Sequence, residues 1–130
     1  MLVEQIAVFL DNKVGALDKL ISLLAENKIN IESLNISENS DFGIVKIITD
    51  KNDEAITILN QNGYTAKSTQ LIALEVEDKP GSLKKFLDML SSKGIQIDYI
   101  YSHTLKTGKG QILFRTKDVD LALKVLNECK

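Results

Sequence analysis

The sequence predicts an α+β fold built from two copies of one pattern of strands and helices. Residues 6–31 and 72–97 align at an offset of 66 (81 − 15), which places Gly15 on Gly81. Each copy has an apolar strand, a short polar loop with a glycine, and a helix whose apolar residues recur at i, i+3 and i+4. The length of 130 residues, 44% of them hydrophobic, is enough for one ordinary domain or two small ones.

The first strand and helix of each copy follow from the period of their apolar residues. Residues 3–10 alternate, with Ile6, Val8 and Leu10 on one face. The helix after Gly15 has an apolar stripe that begins at Leu17. We expect all these positions to be core, together with their equivalents in the second copy, Ile72, Leu74, Val76, Leu83, Phe86, Leu87 and Leu90.

Two further strands follow in each copy, joined by a polar hairpin tip. In the first copy they are predicted at 30–37 and 43–49, and in the second at 96–104 and 110–116. Beyond the tips the offset becomes 67 (110 − 43), because one residue is inserted where insertions are well tolerated.

A second helix ends the shared pattern. It is predicted to start at a cap of Asn52–Asp53 in the first copy and of Asp118 or Asp120 in the second. Residues 64–68 then add a strand to the first copy only, and 64–76 has no loop signal, which favours one long ribbon. The prediction is therefore two ferredoxin-like β-α-β-β-α-β repeats, 1–68 and 69–130, with antiparallel sheets, helices on one face, and no last strand in the second repeat. Unless something fills that gap, the strand near residues 71–77 keeps an open edge.

Composition excludes several classes of function. A net charge of −2 and a pI near 5.4 give no attraction to nucleic acid or an anionic membrane. No apolar run approaches the roughly 20 residues that a membrane span needs, and the N-terminus has no secretory pattern. Cys129 is the only cysteine, which fits a reducing compartment, so we expect a cytoplasmic protein.

The sequence gives little support for catalysis. His103 is the only histidine, so no metal site of ordinary spacing is expected, and no cofactor fingerprint or nucleophile motif is present. Arg115 is the only arginine, and strand alternation favours a pair with Glu75 on the neighbouring strand. We therefore expect a protein that is not an enzyme and that carries no cofactor.

An RNA-binding module would have the same topology and is a second possibility. Phe9, Tyr99, Tyr101 and Leu113 are predicted on the open face of the sheets, where such modules stack bases. The acidic composition argues against this use, and an apolar open face is better explained as a packing surface.

The repeated loop resembles the ACT domain, a family of small regulatory modules that bind amino acids. The resemblance is carried by Asp-Lys-Pro-Gly-Ser-Leu at 78–83 with Lys-Gly-Ile-Gln-Ile at 93–97. The first copy has Asn-Lys-Val-Gly-Ala-Leu at 12–17 and Asn-Lys-Ile-Asn-Ile at 27–31. Together the copies cover almost the whole chain, which is similar to stand-alone tandem ACT proteins.

The resemblance implies an amino-acid site at each loop. The N–H groups around 15–17 or 81–83 would bind the ligand's carboxylate, since a helix N-terminus carries unpaired donors and about half a positive charge. Asn12, with Asp11 beside it, or Asp78 would hold the ammonium. Pro80 fixes the turn of the second loop, where the first has Val14. The implied ligand-binding residues are Asp11, Asn12, Val14, Gly15, Ala16, Leu17, Asn30, Ile31, Asp78, Pro80, Gly81, Ser82 and Leu83.

The expected partners follow from the same resemblance. We expect a free amino acid, a second copy of the chain in a homodimer, and a regulated metabolic enzyme, with neither nucleic acid nor membrane involved. The alternative is a structural or regulatory subunit of an amino-acid metabolic enzyme that has no ligand of its own.

Overall fold

The computed structural model describes residues 2–38, 42–104 and 107–128. Parts of both predicted hairpin tips, and Cys129, lie outside the described residues. The order of elements confirms an α+β fold of two ferredoxin-like repeats. The elements are β1 (Leu2–Asp11), α1 (Ala16–Glu26), β2 (Ile31–Glu38), β3 (Phe42–Thr49), α2 (Asn52–Gln61), β4 (Ala66–Glu77), α3 (Ser82–Ser91), β5 (Tyr99–Thr104), β6 (Lys109–Arg115) and α4 (Val119–Glu128).

The chain divides into two compact units. The N-terminal unit is Glu4–Thr69, and the C-terminal unit is Gln70–Lys130 together with Met1–Val3. Both β1 and β4 therefore contribute residues to both units. β4 is one strand of 12 residues, which confirms the ribbon predicted across this region. The repeat boundaries at 1–68 and 69–130 stay a prediction.

Within the N-terminal unit, the hydrogen-bonded strands follow the order β2-β3-β1-β4. β1 and β2 both pair antiparallel with β3, and Val8 and Ile36 both lie opposite Val45. The predicted face of β1 is confirmed, because Ile6 and Val8 are fully buried and Leu10 nearly so. These side chains share one core with the apolar stripes of α1 and α2, so both helices cover the same face of the sheet.

Within the C-terminal unit, the order is β1-β4-β6-β5. No strand follows α4 in the residues that the structure describes. Instead Leu2 and Val3, at the start of β1, belong to this unit and β1 is the neighbour of β4. Within the described residues, the second repeat does not itself supply a strand for this edge of β4. The start of the chain, in β1, fills it instead.

The core of the C-terminal unit is centred on two aromatic rings. Phe86 of α3 and Phe114 of β6 meet edge to face, with ring centroids 5.2 Å apart. Phe114 is fully buried and Ile72 and Ile112 almost so, and all share one cluster with apolar residues of α3 and α4. The repeated periodicity therefore produces one hydrophobic core in each unit.

The predicted caps of the second helices have different outcomes. Asp118 is confirmed, because its Oδ1 accepts a hydrogen bond from the N–H of Leu121 at 3.0 Å. The cap at Asn52–Asp53 is wrong, since α2 is capped by Lys51 without a side-chain bond. Asn52 instead accepts from the N–H of Thr49 at 2.9 Å, and so holds the end of β3 rather than the helix.

The predicted pair between Arg115 and Glu75 is also wrong. Glu75 lies opposite Gln111, and Arg115 lies opposite Tyr99 on the other side of β6. The Nε of Arg115 instead lies 3.9 Å from Oδ2 of Asp98, just before β5. The strand register therefore gives the arginine a different carboxylate.

Candidate functional site

The two glycine loops have the same backbone geometry. Gly15 has φ 86° and Gly81 has φ 88°, a left-handed conformation that favours glycine. In the first loop the N–H of Lys13 donates to the carbonyl of Asp11 at 3.0 Å, and in the second Lys79 donates to Glu77 at 3.0 Å. The sequence repeat is thus a repeat of backbone structure.

Each loop presents unpaired N–H groups at the start of a helix. Neither α1 nor α3 has a side chain that bonds to its N-terminus. Within the described ranges, the N–H groups of Leu17 and Asp18 in α1 donate no hydrogen bond, and neither do those of Leu83 and Lys84 in α3. These donors and the helix dipole suit a carboxylate.

A cavity of about 310 Å³ lies beside the first loop. It faces the junction between α2 and β4, and its wall includes the side chains of Lys13, Lys19 and Tyr64. The full lining is Phe9, Leu10, Asp11, Lys13, Ala16, Lys19, Asn62, Gly63, Tyr64 and Thr65. The charged side chains that line this cavity are mainly cationic. Asn12 is not one of the lining residues.

A cavity of about 290 Å³ lies beside the second loop and faces β5 and β6 instead. Its polar groups include the carboxylate of Asp78 and the hydroxyls of Ser82 and Ser102. Ile112, which is 2% exposed, and the half-buried Val76 add apolar surface. The full lining is Val76, Glu77, Asp78, Lys79, Ser82, Leu83, Ser102, Gly110 and Ile112. A carboxylate, hydroxyls and apolar surface beside free N–H groups match the parts of an amino acid.

The structure gathers some of the predicted ligand residues at these cavities. Asp11 and Ala16 line the first cavity, and Asp78, Ser82 and Leu83 line the second. The remaining loop residues lie next to them along the chain without lining either cavity. These are Asn12, Val14, Gly15, Leu17, Pro80 and Gly81, and all except the partly buried Leu17 are exposed.

Asn30 and Ile31 do not join the first loop. Ile31 lies opposite Thr49 at one end of β3, whereas Asp11, next to the loop, lies opposite Phe42 at the other end. Seven steps of about 3.3 Å separate these ends by roughly 23 Å. The N–H of Asn30 donates to Oδ1 of Asp50 at 2.9 Å. A role for Asn30 at a Gly15 loop therefore requires a second chain.

An ion pair between Glu77 and Lys79 borders the second loop. The hydrogen bond from Lys79, followed by its charge, lowers the pKa of Glu77 below 4.5, and the same contact raises the pKa of Lys79. Both side chains are well exposed, so the pair adds little stability. Its effect is to pair with each other the two charged residues that flank Asp78 along the chain.

The Glu77 carboxylate should titrate below pH 4.5, and Lys79→Met should return the midpoint toward 4.5. Because the folded pKa is lowered, the small stabilisation is present above 4.5 and is lost as the pH falls through the lowered value. Carbon-detected NMR of the side-chain carboxyl measures the midpoint. Lys85→Met is the control, because its charge is the weakest of the causes. A Glu77 midpoint that Lys79→Met leaves unchanged would contradict this assignment.

Sequence reasoning missed Ser102, Gly110 and Ile112 in the second cavity and 62–65 in the first. The missing signal was strand register, since Ser102 lies opposite Ile112 and Gly110 lies opposite Val76.

Of the residues predicted on the open face, Leu113 is only 3% exposed and Phe9 is 48% exposed. Leu113 is thus not available to stack on a base.

The described residues give no sign of two other kinds of site. In residues 2–38, 42–104 and 107–128, no group of three or more His, Cys, Asp or Glu side chains could hold a metal ion. None of the described helices is both long and apolar enough to span a bilayer.

The described structure is that of a tandem pair of ferredoxin-like modules, each with a glycine loop that opens a helix beside a cavity. The chain belongs to the ACT domain pair family, whose model matches residues 1–130. ACT domains are regulatory domains, and the predicted resemblance is confirmed.

Solved structures agree with this assignment. Protein BT0572 from Bacteroides thetaiotaomicron is 34% identical, with a TM-score of 0.92 over 98% of this chain and 88% of that chain. The ligand-free regulatory subunit of aspartate kinase from Thermus thermophilus is 16% identical, with a TM-score of 0.67 over 96% of this chain and 91% of that one. The same subunit from Thermus flavus is 16% identical, with a TM-score of 0.65 over 98% of this chain and 94% of that one. The two Thermus proteins share the fold. No curated protein matches the chain.

Proposed function

We propose that this chain is a cytoplasmic amino-acid sensor that regulates a metabolic enzyme and has no catalytic activity of its own. The ligand's carboxylate binds the free N–H groups at the start of a helix, and a side chain of the preceding loop holds its ammonium. Membership of the ACT domain pair family supports this role. The likeness to regulatory subunits of aspartate kinase fits it at the level of the fold.

The observation that carries the proposal is the composition of the second cavity. The loop and the start of α3 supply Asp78, Ser82 and Leu83. The strands β5 and β6 supply Ser102 and Ile112. Asp78 makes no ion pair within the described residues, whereas its neighbours Glu77 and Lys79 pair with each other. An α-ammonium would therefore find one carboxylate that no lysine already neutralises.

A homodimer completes the proposal for the first loop. Asn30 can reach a ligand at Gly15 only from another chain, because about 23 Å separate them within one unit. Leu34 of the edge strand β2 is 47% exposed, and an exposed apolar side chain on an edge strand is suited to pairing with a second copy. Sedimentation velocity would test this step by measuring the mass of the particle.

A thermal-shift screen against the twenty common amino acids tests the sensor function. A ligand at about 100 times its dissociation constant adds roughly 2.7 kcal/mol to the free energy of unfolding, which raises the melting temperature by several degrees. We expect one amino acid, or one chemical class of them, to stabilise the protein. If none of them does, the sensor proposal fails and the ligand-free regulatory subunit becomes the better account.

A further inference from the structure

We propose that Ser102 sets the side-chain selectivity of the second loop, which prefers a small, uncharged side chain with a hydrogen-bonding group over its apolar isostere. This inference rests on the proposed function and specifies the ligand class of that site. The inference is based on the difference between Ser102 and Ile36, which occupy equivalent positions in the strand registers of the two units.

Ser102 and Ile36 occupy the same place in the two units. Ser102 of β5 lies opposite Ile112 of β6, and Ile36 of β2 lies opposite Val45 of β3. The repeat offsets give the same pairing, since 102 − 66 is 36 and 112 − 67 is 45. The edge strand therefore presents a hydroxyl in one unit where it presents a branched apolar side chain in the other.

This exchange decides whether the space over Gly43 and over the equivalent Gly110 is covered by the edge strand. A Cβ placed on Gly43 would lie 3.8 Å from Cγ2 of Ile36, so the isoleucine covers that glycine. A Cβ placed on the equivalent Gly110 would contact, among the described residues, only Val76, at 3.7 and 3.8 Å. The smaller Ser102 leaves this space open, and Gly110 and Ser102 both line the second cavity.

Two hydroxyl groups that line this open space are available to hydrogen-bond a ligand. The hydroxyls of Ser82 and Ser102 make no side-chain hydrogen bond within the part of the chain that the structure describes. A hydroxyl both donates and accepts, so a ligand hydroxyl or amide can satisfy it. Ser102 is exposed and Ser82 half-buried in the free protein, so an apolar isostere that covers them would displace their water without replacing its hydrogen bonds, which disfavours binding by roughly 3- to 10-fold.

The charges around the cavity exclude ionised ligand side chains. Glu77 and Lys79 neutralise each other, and Asp78 is the carboxylate left for the ligand's ammonium. Among the residues that line the cavity, no opposite charge is free to pair with a second charge on the ligand, and desolvating an unpaired charge is costly. The side chain should therefore be neutral.

Isothermal titration calorimetry with isosteric pairs tests the inference. The probes are L-threonine against L-valine and L-serine against L-2-aminobutyrate, because each pair exchanges a hydroxyl for a methyl group. We expect the wild type to bind the hydroxyl member 3- to 10-fold more tightly. Ser102→Ala should bring this ratio close to one. Ser102→Ile should weaken all four ligands at least tenfold, because its side chain would cover Gly110 as that of Ile36 covers Gly43 in the first unit.

Ile36→Ser is the matched control, since Ile36 is 45% exposed and lies at the equivalent position of the first unit. It should leave the ratios unchanged. The inference is overturned if Ser102→Ala leaves the ratio as in the wild type, if Ile36→Ser changes it, or if only charged or large apolar amino acids bind. In these cases the sensor function stands. If no amino acid binds in the thermal-shift screen, the sensor function and this inference both fail.

Discussion

Replacing Gly81 by valine is expected to lower amino-acid affinity at the second loop by at least tenfold while the chain stays folded. Gly81 has φ 88°, and a side chain in this left-handed region costs roughly 1–2 kcal/mol. A Cβ there would meet nothing within 4 Å, so the fold suffers strain but no clash. The branched side chain would instead obstruct ligand approach to the free N–H groups of Leu83 and Lys84. Calorimetry with the amino acid found by thermal shift measures the loss.

Gly15→Val is a closely matched control. Gly15 has φ 86°, and its added Cβ would also meet nothing within 4 Å. The two variants should therefore lose similar stability in urea denaturation. Only Gly81→Val should lose affinity if the second loop is the site. Loss of affinity in Gly15→Val alone would move the site to the first loop.

Replacing Phe114 by alanine is expected to destabilise the C-terminal unit by about 3–5 kcal/mol. The ring is fully buried and meets Phe86 edge to face, so its removal leaves a cavity at the centre of that core. The effect should appear as a lower urea midpoint, followed by circular dichroism. It should also appear as faster hydrogen exchange in β6.

Phe9→Ala is the comparison for this substitution. Phe9 also makes an edge-to-face contact, with Phe42 at 5.7 Å, but its ring is 48% exposed and lies outside both cores. Its loss should cost less than about 1 kcal/mol. Equal costs for the two variants would show that burial of Phe114 does not stabilise the unit as described.

Much of the fold could be predicted from sequence because each element depends on local periodicity. The alternation of Ile6, Val8 and Leu10 and the helical stripe through Leu20 and Leu24 specify which side chains are buried. The repeat then strengthened each prediction, since the same pattern at a fixed offset cannot easily arise by chance.

Features that depend on strand pairing could not be predicted in this way. The sequence places Arg115 and Glu75 on adjacent strands, but the register of β6 puts Gln111 opposite Glu75. Leu2 and Val3 carry no sign that they belong with residues 70 onward rather than with the first repeat. Both depend on contacts between residues far apart along the chain.

The residues of the candidate site also differ in whether local sequence or strand pairing places them. Its loop residues, such as Asp78 and Ser82, form a continuous motif and were predicted from it. Ser102 comes from a strand about 20 residues later along the chain, and only its register opposite Ile112 brings it to the cavity. Motifs therefore locate a loop, whereas the walls that select a ligand are supplied by tertiary structure.

We propose above all that the second loop binds the α-carboxylate and α-ammonium of an amino acid. Two-dimensional ¹⁵N–¹H NMR during titration with the stabilising amino acid tests it most directly. We expect saturable shifts of the amides of Gly81, Ser82, Leu83 and Ser102, with smaller changes at Gly15. Shifts confined to the loop at Gly15, or no saturable shift at either loop, would contradict it.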